Sequence, residues 1–199
     1  TQKKEDWMLK HEYARSALKL GLQHEAKLGA NPFKFGMIGS TDAHSSLAGA
    51  DEMNFWGTTR ERSADRLLVP LAGAATDGPR GWKRSAAGYA AVWAEENTRE
   101  ALFAAMKRRE TYATTGPRMT VRFFGGWDYD REDAFRPDLA RIGYSGGVPM
   151  GGDLTSAPTG KAPKFLIRAK KDPDGANLDR VQVIKGWRSK DGELHEIIH

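Results

Sequence analysis

The hydrophobic period of this chain changes once, at Gly116-Pro117. Ahead of that point Ala14, Leu18, Leu22 and Ala26 recur every four residues and predict a helix over 5–28 with one apolar stripe. Behind it RMTVRFF, KFLIRAK and DRVQVIKGW alternate polar and apolar residues, as half-buried strands do. Helix and buried strand first, alternating strands afterwards, predict an α/β portion followed by an antiparallel β portion. The expected domains are 1–116 and 117–199.

Local punctuation refines this outline. Gly29 with Asn31-Pro32 closes the first helix. Phe33 to Ile38 is short and apolar with turn residues on both sides, which predicts a buried strand. Most of the stretch from Ser45 to Gly88 reads as a long excursion rich in Gly, Ala and Pro. Tyr89 to Ala94 is apolar again, and Asn97 or Thr98 caps a helix through REALFAAMKRRE. Leu102, Phe103 and Met106 are its expected buried face. Lys107, Arg108 and Arg109 fall in its last turn, where the helix dipole favours cations. GYSGGVPMGGDLTSAPTG and KKDPDGANL read as loops, and Asp191-Gly192 as the turn of a C-terminal hairpin.

Chemistry concentrates in KFGMIGSTDAH, residues 34–44. An apolar run ends at Gly39, and Asp42 and His44 follow two residues apart. In parallel α/β folds functional side chains gather at the carboxyl ends of strands. On an extended segment positions i and i+2 point the same way. A hard carboxylate oxygen beside an imidazole nitrogen suits zinc, manganese or iron. The structural alternative is an Asp that caps a turn and a polar surface His. A catalytic zinc commonly takes three protein ligands. His11 and His24 are too far apart to chelate along one helix face, and His195 and His199 belong to the β region.

Composition excludes several classes. The chain of 199 residues has no cysteine, so a disulfide framework, thiolate zinc sites and a Cys nucleophile are out. No apolar run approaches the roughly 20 residues of a membrane span. The net charge of +5 favours an anionic partner weakly, and the basic residues are spread out, so no nucleic-acid partner is expected. The opening TQKKEDWMLK reads as the middle of a longer chain.

FKFGMIGSTDAHSS resembles the late metal-binding motif of the polymerase and histidinol phosphatase (PHP) superfamily, whose members carry G-S-D-x-H-like sequences at the end of a late barrel strand. With GYAAVWAEENTREALFAAMKRRETYATTGPR and VQVIKGW, the chain resembles a bacterial branch in which a PHP-like barrel precedes a β domain. That resemblance implies the C-terminal portion of a distorted (β/α)7 barrel in 1–116. A small antiparallel β-sandwich-like domain would then occupy 117–199. It implies a divalent-metal-dependent hydrolase of phosphate, or related sulfate, esters. Asp42 would ligate one cation and His44 its neighbour, with zinc, manganese or iron bound in the full-length protein. The superfamily's first H-x-H pair and its intermediate Glu and His ligands are not in this chain and are expected upstream. The chain alone is therefore expected to bind metal poorly and not to catalyse, and no catalytic residue is assigned within it.

Its expected partners are a small anionic ester and the remainder of the barrel. Trp56, in the loop after the motif, and Arg109, in RRETYATTGPR, are the candidate substrate contacts. Packing for Trp56 and a barrel-to-β crossing for the second segment are the plainer readings. The alternative function is a non-catalytic module whose β domain recognises a glycan or protein partner.

Overall fold

A computed structural model describes residues 4–43, 88–155 and 157–199. Helices and small antiparallel sheets make a mixed α and β architecture, with no closed barrel among the described residues. The chain divides into two compact units. One joins the segment up to Phe35 to Leu178–His199; the other is Gly36–Asn177. The expected 116/117 boundary falls inside the second unit.

The first unit holds α1 (Asp6–Glu12), α2 (Ala14–Leu28) and the last two strands of the chain. The single helix expected over 5–28 is broken at Tyr13, whose backbone is extended (φ −113°, ψ 139°). The reason is in the pattern itself. The apolar stripe begins at Ala14, and a short helix gains most of its stability from packing such a stripe. Gly29 ends α2 in the left-handed conformation (φ 71°) and donates its N–H to Glu25, the glycine C-cap that sequence predicts. Asn31 then turns the chain, its side-chain oxygen accepting from Phe33 N at 2.9 Å.

Ile184–Arg188 and Leu194–Ile198 pair antiparallel as the predicted C-terminal hairpin, Ile184 opposite Ile198. Two further backbone bonds between Val183 and His199 extend the ladder. Gly192 (φ 98°) makes the turn and donates to Ser189 O at 3.0 Å. Trp187 and His195, directly opposed, stack with ring centres 5.2 Å apart. The hairpin lies on α2, where Glu196 meets Arg15 at 2.8 Å and Lys19 at 3.0 Å.

In the second unit β1 (Tyr89–Val92) and β2 (Thr111–Thr114) pair antiparallel, joined through α3 (Arg99–Lys107). Thr98 caps α3 as expected, its hydroxyl accepting from Ala101 N at 3.3 Å. The buried face differs from the expected one. Ala105 is fully buried and Leu102 half-buried, while Phe103 and Met106 are 66% and 49% exposed. A small side chain, not the large ones, marks the side on which α3 packs.

The centre of this unit is a three-stranded antiparallel sheet in the order β4 (Gly147–Pro149), β3 (Thr120–Gly126), β5 (Lys164–Lys170). β5 coincides with KFLIRAK, β3 overlaps RMTVRFF but starts and ends two residues later, and Phe124 faces Leu166 across the register. Phe124, Tyr129, Leu139 and Leu166 form the core. Leu139 belongs to α4 (Leu139–Gly146), a helix in a stretch expected to be partly loop. Its glycines hid it, and they are what lets it approach. A Cβ on Gly143 would lie 2.4 Å from the Phe124 ring, and one on Gly146 2.6 Å from the Tyr129 ring. The buried Tyr129 hydroxyl donates to Gly143 O at 2.6 Å.

Residues 33–43 form no strand, contrary to the buried strand expected over 33–38. Phe35, Met37 and Ile38 are 40%, 45% and 63% exposed. The segment touches the β1 edge through Gly39 N, which donates to Tyr89 O at 3.2 Å. One such contact does not make a ladder, and among the described residues the run has no paired neighbour to form one with.

Candidate functional site

The segment carrying Asp42 approaches the β1–β2 pair closely at its glycines. A Cβ on Gly36 would lie 2.7 Å from Thr111 Oγ1, and one on Gly39 2.7 Å from Tyr89 O and 2.9 Å from Thr114 O. Two residues past Thr114's neighbour Gly39 the hydroxyl of Thr41 accepts from Ala43 N at 3.3 Å, a local turn of the kind Ser and Thr close. Asp42, inside that turn, is exposed and left-handed at φ 60°. Asp enters this region more readily than most residues, but it is still an uncommon conformation.

Two consequences follow for the expected ligand pair. Asp42 is left-handed and not extended, so positions i and i+2 need not share one side there. His44 lies outside the described residues, as does Trp56. Among the described residues no three His, Asp or Glu side chains stand together as a metal centre requires. Of the expected pair, Asp42 is the member that lies among the described residues.

Arg109 is placed by the end of α3. It too is left-handed (φ 64°), its N–H bonding Met106 O at 2.9 Å. Its guanidinium lies 3.4 Å from the Asp153 carboxylate. Gly151 (φ 81°) seats its backbone on Arg109, where a Cβ would lie 2.2 Å from Arg109 O. The residue next to it turns inward. Glu110 is 2% exposed, its N–H bonding Ala105 O and its carbonyl accepting from Trp93 N, both at 3.0 Å.

Around Glu110 is a polar cluster that sequence reasoning did not assemble. The Tyr144 hydroxyl donates to Glu110 Oε1 and accepts from Arg122 Nη1 at 3.0 Å. Arg108 Nη2 stands 3.4 Å from Glu110 Oε2. The Arg122 guanidinium carbon lies 3.5 Å from the centre of the Trp93 ring, a cation–π stack. Trp93 is itself anchored, its indole N–H donating to Val121 O at 2.9 Å. Burial pushes the Tyr144 phenol above its ordinary pKa; the Glu110 carboxylate adds to this and Arg122 opposes it. These groups line a cleft of about 680 Å³, with Pro149 on one wall and Glu95 at the exposed rim.

The signal available in sequence was slight. Glu110 sits between the basic turn of α3 and the strand TYAT, a place where a carboxylate usually meets solvent. Arg122 and Trp93 belong to segments read for their apolar content. Only the packing of β1, β3 and α4 brings them together.

No helix among the described residues is long and apolar enough to cross a membrane. No curated protein and no solved structure is significantly similar to the chain. Residues 1–199 match the family described as "Protein of unknown function (DUF3604)", and the chain belongs to that family.

Proposed function

We propose that this chain is part of a divalent-metal-dependent hydrolase of phosphate or sulfate esters, to which it contributes Asp42 and His44. The observation that carries the reading is the placement of Asp42. Its carboxylate is exposed, on a left-handed turn, immediately after a segment held against the β1–β2 edge by Gly39. Backbone held in a sparsely populated region is found disproportionately at functional positions. The resemblance of FKFGMIGSTDAHSS to the PHP motif supplies the chemical class.

In this reading residues 1–116 are the C-terminal part of a PHP-like barrel and 117–199 the β domain that follows it. One carboxylate does not by itself hold a catalytic cation. Asp42 offers an oxygen donor, His44 an imidazole, and zinc, manganese or iron accept both. Arg109 and Trp56 are the proposed contacts to the anionic ester.

The test uses the full-length protein. Asp42→Ala and His44→Ala are expected to remove turnover of phenyl phosphate and of phenyl sulfate, and to lower bound metal by elemental analysis, while thermal unfolding is unchanged. Wild-type turnover and metal content in both variants would sink the assignment.

A further inference from the structure

We propose that the Glu110 cleft is a binding site for a small organic oxyanion, a molecule with a carboxylate, phosphate or sulfate group on an apolar body. The proposal is independent of the hydrolase reading, because Asp42 takes no part in it.

The cleft has the size of small-molecule sites, which commonly run from roughly 300 to 1,000 Å³. Its walls also have their character: apolar surface from Trp93, Tyr144 and Pro149, with a few polar groups converging on it. The charged lining of the cleft is Arg108, Arg122, the buried Glu110 and, at the rim, Glu95, and the Glu110 carboxylate is already engaged by Arg108 and the Tyr144 hydroxyl. Arg108 has the more open side chain, 51% exposed, and touches Glu110 at a long 3.4 Å. A guanidinium has five N–H donors in a planar fork suited to two-point contact with an oxyanion.

The surrounding residues hold that fork and its neighbour in place. Glu110, buried, attracts Arg108 from one side and accepts a hydrogen bond from the Tyr144 hydroxyl on the other. Arg122 is held over the Trp93 ring and hydrogen-bonded to Tyr144. Ordering long cationic side chains in advance removes part of the entropic cost of binding. Glu110 is accordingly a positioning residue, and Arg108 the direct contact.

Isothermal titration of the 199-residue chain with phenyl phosphate tests this, with phenol and inorganic phosphate as comparisons. The expected result is one site per chain, with phenyl phosphate bound more tightly than either comparison compound. Arg108→Ala should weaken it about tenfold or more, the loss of a charged two-point contact, with the melting temperature unchanged. Arg108→Lys, which keeps the charge and loses the fork, should recover only part of the affinity. Asp42→Ala should bind as wild type does.

The proposal is overturned by absence of binding up to about 10 mM phenyl phosphate. It is equally overturned if Arg108→Ala binds unchanged, or if Asp42→Ala abolishes binding while Arg108→Ala does not. The last result would place the anion at the Asp42 segment and leave the hydrolase reading intact.

Discussion

The guanidinium carbon of Arg122 stands 3.5 Å from the centre of the Trp93 ring, so a cation on β3 covers an aromatic face just past the end of β1. The same arginine donates to Tyr144 on α4 at 3.0 Å. Three elements are tied through one side chain, and Glu110 at the foot of the cluster adds a fourth, the start of β2.

Replacing Arg122 with Leu keeps much of the side-chain volume and removes both contacts. The expected loss is about 1–2 kcal/mol, from a partly desolvated cation–π pair and a hydrogen bond to a charged donor. Chemical denaturation measures it. An unchanged midpoint would mean that the stack contributes nothing to folding.

Glu110 and Tyr144 should be energetically coupled. Tyr144→Phe leaves a buried carboxylate short of a donor, and Glu110→Ala leaves the hydroxyl without its acceptor. Each is expected to cost about 1–3 kcal/mol. In a double-mutant cycle the combined variant should lose clearly less than the sum. Strict additivity would show that the two groups act separately.

Gly143 is under two opposed influences. Alanine favours a helix over glycine by about 1 kcal/mol. Against this, a Cβ there would lie 2.4–2.6 Å from three atoms of the Phe124 ring, which is 1% exposed and has little room to retreat. Overpacking of this kind costs about 1–3 kcal/mol, so we expect Gly143→Ala to destabilise despite its better propensity. A rise in melting temperature would show that the ring has space to move.

Glu196 should make the first unit sensitive to acid. Lys19 first, then Arg15, hold its carboxyl below the ordinary value of 4.5. A group depressed in the folded state contributes stability above its unfolded pKa and loses it as pH falls through the folded one. Melting temperature should therefore fall below about pH 4.5 more steeply in wild type than in Glu196→Gln. Parallel acid limbs in the two proteins would refute the assignment.

Much of the architecture follows from local rules. Thr98 and Gly29 are caps whose chemistry lies within one helical turn, and Asp191-Gly192 closes a hairpin whose two arms are adjacent in sequence. β3 and β5 fall where the sequence alternates in residue type, although their burial does not alternate residue by residue. Failures came where a neighbour decides. The run Phe33 to Ile38 has the composition of a strand but no ladder beside it among the described residues. Phe103 and Met106 have the spacing of a buried face, yet Ala105 is the residue that packs.

The candidate sites divide in the same way. Asp42 and His44 stand close in sequence, so residue type and spacing alone raise a chemical question about them, although the left-handed turn at Asp42 was not foreseeable. Trp93 just after β1, Glu110 just before β2, Arg122 on β3 and Tyr144 on α4 come from four separate stretches of chain, and nothing in any one of them signals the others. Sequence by itself determined the caps, the turns and the alternating strands, because those depend on interactions between near neighbours. Tertiary structure alone decided which carboxylate is buried, which guanidinium remains open and where a cleft forms, because burial depends on segments distant in the chain meeting in space.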